Sequence, residues 1–275
     1  MKTASRPPFP FTLLWVWLVR ILPAWCGIAL LIFLMQIAVS SIVHDNANVR
    51  TFLAFLDMLP SIVKTALGGD MLRPGHVPAL LTIGYQHPFV MFLFMLFAVG
   101  APTGLLTGEV QRGTMELILS RPVTKTQVYI CACVLTAGGM FALVLAMFLG
   151  TVVAVQLYDF GEPIPLDLFF RIAINAGLLA STFGAFALVC AASFARLYSA
   201  VGIAVAFLSV NYFVSITAEW WPRMHFLRRA TLFYLVYYSD LYSGWPLRNM
   251  GILALILLMA AVAGGIVWHR RDLPL

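Results

Sequence analysis

Residues 107 to 128 read TGEVQRGTMELILSRPVTKTQV, an island of charge, glycine and proline in an otherwise oily chain. On one side stands FVMFLFMLFAVGAPTGL, residues 89–105, and on the other YICACVLTAGGMFALVLAMFLGTVVAV, residues 129–155. Each flank, with its neighbours, is long enough to cross a hydrocarbon core of about 30 Å as a helix. The island is therefore a connection between two spans, and its polarity confines it to one face of a membrane. That reading sets the fold for the rest of the chain.

Composition agrees with it. Of the 275 residues 62% are hydrophobic and 10% charged, against about 25% charged in an ordinary soluble domain. Apolar windows recur along the whole length, and no charged window is long enough for a separate soluble domain. The expectation is an all-α integral membrane protein, residues 1–275 forming a single membrane domain with six transmembrane helices at about 21–43, 84–107, 127–157, 168–193, 199–219 and 249–268. The first span lacks a compact small-residue cleavage site and runs into His44-Asp45-Asn46, so it is read as retained and not as a cleaved signal peptide.

Orientation follows from the basic residues. With the N-terminus inside, one face receives Lys2, Arg6, Arg20, Arg112, Arg121, Lys125, Arg196, Arg270 and Arg271 against only Glu109, Glu116 and Asp272. The remaining basic and acidic residues balance on the other face, so the whole net charge of +6 lies on the first. This is the pattern of a bacterial inner (plasma) membrane protein with both termini cytoplasmic. The basic pI of 9.4 is thus a topology signal, and no nucleic-acid partner is expected.

Beyond the island, the chain offers three irregular segments. Phe11 to Leu22 carries Trp15, Trp17 and Arg20 and is followed by Pro23. A helix continuous from 11 to 43 would be about 50 Å long, so a separate N-terminal interfacial helix over 11–22 is expected, with Pro23 at the bend; a single long tilted first helix is the alternative. Between the first two spans, Phe52, Phe55, Leu56, Leu59, Ile62, Val63 and Leu67 recur near helical spacing, which predicts short amphipathic outer helices broken at Pro60 and Gly68-Gly69. The aromatic, arginine-bearing stretch 219–249 is too charged to be a free span and reads as a re-entrant or interfacial outer segment before the sixth span.

Few polar residues lie within the spans. Gln36, Gln156, Asn175 and Asn211 are candidates for a substrate path, although buried amides also serve as packing glue between helices. No span carries Asp, Glu or Lys near its middle, so the proton relays or ion-coupling sites of secondary transporters are not expected. Cys131 and Cys133 stand about 200° apart on a helix with no histidine to join them, which favours packing over a metal site. The five histidines, at 44, 76, 87, 225 and 269, form no paired-ligand spacing. A polytopic membrane enzyme is the reading from another class that would have to use them; a non-transporting assembly subunit is a third.

Inside the island, Gly113 breaks the helix, Thr114 is placed to cap a new one, Glu116 sits in its first turn near the positive helix end, and Pro122 stops it. Thr124 or Thr126 can cap the third span, with Lys125 at headgroup level. A helix of two turns is not stable alone. Its apolar residues Met115, Leu117, Ile118 and Leu119 need a surface, either the headgroups or a partner's groove.

The run Glu109-Val-Gln-Arg112-Gly113-Thr114-Met-Glu116-Leu117-Ile-Leu119-Ser120-Arg121-Pro122-Val123-Thr124-Lys125 resembles the cytoplasmic signature of ABC-2 type transporter permeases, roughly Glu-x-x-x-Gly-Thr-x-Glu-x-Leu-Leu-Ser-x-Pro-Val-Ser-Arg. The resemblance implies an ABC-2 type membrane domain, the permease subunit of an exporter. The loop between spans two and three would then be a cytoplasmic coupling helix docking on a separate cytoplasmic ABC ATP-binding subunit, with Glu109, Gly113, Thr114, Glu116, Leu119, Pro122 and Lys125 at matching positions. A second copy or a related permease would complete the dimer. ATP and Mg would be bound by the partner subunit, and no cofactor by this chain, which has no Gly-x-x-x-x-Gly-Lys-Ser/Thr loop. Thr124-Lys125 departs from the usual Ser-Arg, losing the planar guanidinium fork. Cys131-Ala132 stands where the family often has a lysine.

Overall fold

The computed structural model describes residues 9–45, 77–236 and 244–272, together with the single residues 51, 54, 58 and 241. Among the described residues there are nine α-helices longer than one turn, two 3-10 helices and no strand. In chain order the α-helices are α1 (Phe11–Val43), α2 (Val77–Gln86), α3 (Pro88–Leu105), α4 (Thr107–Gln111), α5 (Thr114–Leu119), α6 (Lys125–Leu157), α7 (Leu166–Ser193), α8 (Leu197–Trp220) and α9 (Leu247–Arg270). Six stretches are long and apolar enough to cross a membrane: α1, Leu80–Leu105, α6, α7, α8 and α9. They overlie the six expected spans; α1 begins ten residues earlier than expected, at Phe11, and the second stretch runs from four residues before its expected start to two residues short of its expected end. The amphipathic helices expected from Phe52 to Leu67, with their breaks at Pro60 and Gly68-Gly69, lie almost wholly outside the described residues.

Two breaks differ from expectation. The separate helix over 11–22 is not found, because α1 runs unbroken through Pro23. Proline there costs one backbone hydrogen bond, which a packed membrane helix tolerates where neighbours hold both halves. Trp17, 2% exposed, packs in one cluster with Leu105, Val128 and Trp268 on the early side of Pro23. On the later side Trp25 Nε1 donates to the carbonyl of Gly139 at 2.9 Å. Conversely, the second span is interrupted where none was expected: His87 caps α3, accepting from Phe89 N–H at 3.2 Å with Pro88 at the first helical position. Proline lacks the N–H that a helix start leaves unpaired anyway, so Pro88 begins α3 at no cost.

The core is built around α7, the most enclosed span, with 72% of its apolar window buried. It is flanked by α3, α6, α8 and α9. Helix α1 lies against α6 and closes the bundle on that side. Two contacts depend on a missing side chain. A Cβ on Gly177 of α7 would collide with Val144 Cγ2 of α6, and a Cβ on Gly150 of α6 would stand 2.9 Å from the Phe33 carbonyl of α1. Close backbone approach of this kind is how helices associate where no hydrophobic force separates them from lipid.

At the end of the bundle that carries the 107–128 elbow, the termini of five spans converge on one apolar cluster that includes Trp17, Leu105, Val128, Ala191 and Trp268. The start of α1 and the end of α9 therefore lie at the same end. Opposite the elbow, the segment before α9 forms the 3-10 helices Pro222–Ala230 and Leu232–Leu235. Its Phe233 ring sits 5.7 Å from both Phe183 and Tyr212, so Leu232–Leu235 lies against the bundle.

Candidate functional site

The elbow is a helix, a left-handed residue and a second helix. Helix α4 ends at Gln111, and Gly113 follows with φ +73°. This conformation is open to glycine and costs an L-residue roughly 1–2 kcal/mol. Gly113 is the N-cap of α5, and Thr114 is not the cap that the sequence suggests. The Thr114 hydroxyl instead reaches back to the carboxylate of Glu109, and its oxygen lies 3.2 Å from the Glu109 carbonyl. Glu116 lies in the first turn of α5, as expected. Thr124 caps α6 through a reciprocal capping box with Gln127, at 3.2 and 2.9 Å.

Glu109 organises the elbow from inside. It is 4% exposed and pairs with the Arg20 guanidinium of α1, while Arg112 donates to the same oxygen at 3.0 Å. Burial opposes its charge, but the Thr114 hydroxyl and Arg20, with Arg112 behind them, outweigh that and hold the carboxyl below its ordinary range. Glu109 is therefore not an exposed contact residue, although the resemblance groups it with the partner-binding positions. It ties α4, α5 and α1 together.

The short helix divides its residues sharply. Met115 is buried at 3% exposure and anchors α5 to the cluster below. Ile118 and Leu119 are half-buried; Glu116, Ser120, Arg121 and Pro122 are exposed, and Leu117 is 69% exposed. Between α5 and the first three turns of α1 runs a groove of about 700 Å³, walled by Phe11, Trp17, Leu117 and Val123 and edged by Arg20 and Arg121. Apolar walls with a few placed charges are the usual make-up of a binding cleft.

Around the elbow, backbone groups at helix ends are taken up by side chains. Thr107 Oγ1 donates to the Ala191 carbonyl at 3.0 Å, and the Arg271 guanidinium donates to those of Ala192 and Phe194 at 3.0 and 3.1 Å. Two of the open carbonyls at the end of α7, and that of Phe194 just beyond it, are thereby satisfied. Gln111 Oε1 accepts from Leu197 N–H at 2.6 Å, fixing the start of α8. Lys125 donates its ammonium to the Arg271 carbonyl at 2.9 Å, and Trp268 Nε1 donates to the Lys125 carbonyl at 2.9 Å. Lys125 is thus held within the chain.

The four candidate path residues are not brought together. Gln36 is 2% exposed and packs against Gly84 and Gly150, its Nε2 without a partner. Asn175 is fully buried in α7 with both amide atoms unpartnered. Asn211 bonds the Phe207 carbonyl and Leu232 N–H, a structural role, and Gln156 is exposed near the end of α6. Sequence reasoning missed Arg20 as the ion partner of Glu109 and Arg271 as the clasp on α7. The signal for Arg20 was present, an arginine inside an apolar helix, but its partner stands 89 residues away. Scanned against models of known protein families the chain matches none, and a search of curated proteins found no match.

Proposed function

We propose that this chain is the permease subunit of an ATP-driven exporter of the ABC-2 type, lying in a bacterial inner membrane with both termini in the cytoplasm. In this reading α5 is the coupling helix, and a separate ATP-binding subunit carrying ATP and Mg docks on it. A second permease chain completes the substrate path. The observation that carries the reading is the build of the elbow: a helix too short to stand alone starts at the left-handed Gly113 and is held from below by Met115 and the buried Glu109 cluster, while presenting Leu117, Glu116 and Arg121 outward. A plain connector has no need of so stiff a mount for an exposed leucine. Force applied to α5 passes through Glu109 to Arg20 and so to α1, and through the 120–124 turn to α6.

The test is a mild-detergent pull-down of the tagged chain from its native host, followed by mass spectrometry. A stoichiometric subunit with a phosphate-binding Gly-x-x-x-x-Gly-Lys-Ser/Thr loop is expected, and its recovery falls at least ten-fold with Leu117→Asp. Absence of any nucleotide-binding subunit, even after crosslinking through residue 117, would overturn the proposal.

A further inference from the structure

The cations at the elbow end can be followed one by one. Arg20 and Arg112 go to Glu109, Lys125 to the Arg271 carbonyl, Arg271 to the end of α7, and Arg196 to the Tyr198 hydroxyl at 2.8 Å. Among the described residues Arg121 and Arg270 keep side chains without a hydrogen-bond or ion-pair partner, and each edges a groove. Arg121 borders the groove beside α5. Arg270 borders a different one, of about 500 Å³, between the start of α6 and the end of α9.

This second groove has two chemically distinct ends. Toward the middle of the bundle its walls are Val262, Gly265, Ile266 and the ring of Tyr129; toward the elbow end they are Thr126, His269 and Arg270. Tyr129 is fixed as a wall because its hydroxyl donates to the Ala261 carbonyl at 2.7 Å. Thr126 Oγ1 and His269 Nδ1 lie 3.3 Å apart beside Arg270, and among the described residues no carboxylate lines the groove. It opens along α9, the least covered of the six spans, with 11% of its apolar window buried.

We infer that this groove holds an anionic phospholipid of the surrounding bilayer, its phosphate at Arg270, His269 and Thr126 and an acyl chain along Val262 and Ile266. An unpaired guanidinium calls for an anion, and an apolar channel continuous with it and facing the bilayer calls for a chain on that anion. Basic pockets between spanning helices recruit anionic headgroups by this combination. The lipid bridges α6 to α9, a pair otherwise joined at this end through Trp268 and Arg271. The inference needs only that the six helices span a membrane, and it stands apart from the transport reading.

Native mass spectrometry of the full chain from bilayers of equal phosphatidylglycerol and phosphatidylcholine tests it. The expected result is one tightly retained phosphatidylglycerol per chain, favoured about five-fold over phosphatidylcholine for the single free arginine. Arg270→Gln brings that preference to parity, whereas Arg121→Gln leaves it unchanged. Val262→Trp, at a position 61% exposed, fills the channel from outside and lowers retention of both lipids, with thermal melting unchanged as the check on folding. Equal retention of the two lipids by the unaltered chain, or equal loss with Arg121→Gln, overturns the inference. Competition by water-soluble glycerol phosphate as effective as by the whole lipid would likewise overturn it and assign the anion to a free phosphate.

Discussion

Glu109 keeps its charge beneath the surface because three groups from different elements converge on it, and that arrangement has a pH signature. Its folded-state pKa is held below the ordinary value of a free glutamate. The stabilisation is therefore complete above that value and drains away as pH falls through the folded one. With Arg20 and Arg112 half exposed, the cluster is worth about 1–2 kcal/mol, toward the upper end of a surface pair and below a fully buried one. Glu109→Gln should lower the melting temperature of the detergent-solubilised protein by a few degrees at pH 7, and the gap from the unaltered chain should narrow as pH falls below the ordinary glutamate range. A gap independent of pH would show that the carboxylate's charge is not what matters. At this scale the sequence was least informative. Glu109 was visible as a motif residue, but no local spacing links it to Arg20, and its inward direction follows from a fold that only the distant contacts define.

Among the elements, the elbow and the packed spans make separate predictions. A Cβ on Gly113 would meet nothing within 4 Å, so Gly113→Ala tests the left-handed backbone alone. It should cost about 1–2 kcal/mol of local stability and reduce recovery of the proposed ATP-binding partner while the bundle itself still melts cooperatively. Undiminished recovery would mean that α5 tolerates a re-aimed start. Within the bundle, Gly177→Ala should destabilise by about 1–3 kcal/mol through overpacking, and Val144→Ala should restore much of it, since that side chain is the one struck. Failure of the pair to couple in a double-mutant cycle would remove the contact from the account. The helices were legible from apolar run length, and the end of α5 and the cap of α6 from proline and threonine placement. The bend expected at Pro23 was not found. Whether a proline bends, starts or merely interrupts the hydrogen bonding of a helix depends on what packs on either side, and here Trp17 and Trp25 decide it.

For the molecule as a whole, the charge asymmetry predicts which end faces inward. Single cysteines introduced at Asp159 and Ser120, at opposite ends of α6, should label oppositely in intact cells: the first with a membrane-impermeant maleimide from outside, the second only after permeabilisation. The reverse pattern would invert the proposed orientation. Six spans, and a common end for the start of α1 and the end of α9, could be read from composition and loop charge; the central place of α7 could not, because all six spans are apolar enough to cross and differ in what surrounds them. The contact of Val144 with Gly177 bears on how such a bundle can move. A side chain seated in a backbone notch blocks translation of α6 along α7, as a peg blocks a rail, but it leaves rotation about the peg free. Any change of shape between the α1–α6 pair and the α7–α9 pair would then be a hinge-like rocking about the level of residue 177, and not the shear of one helix past another.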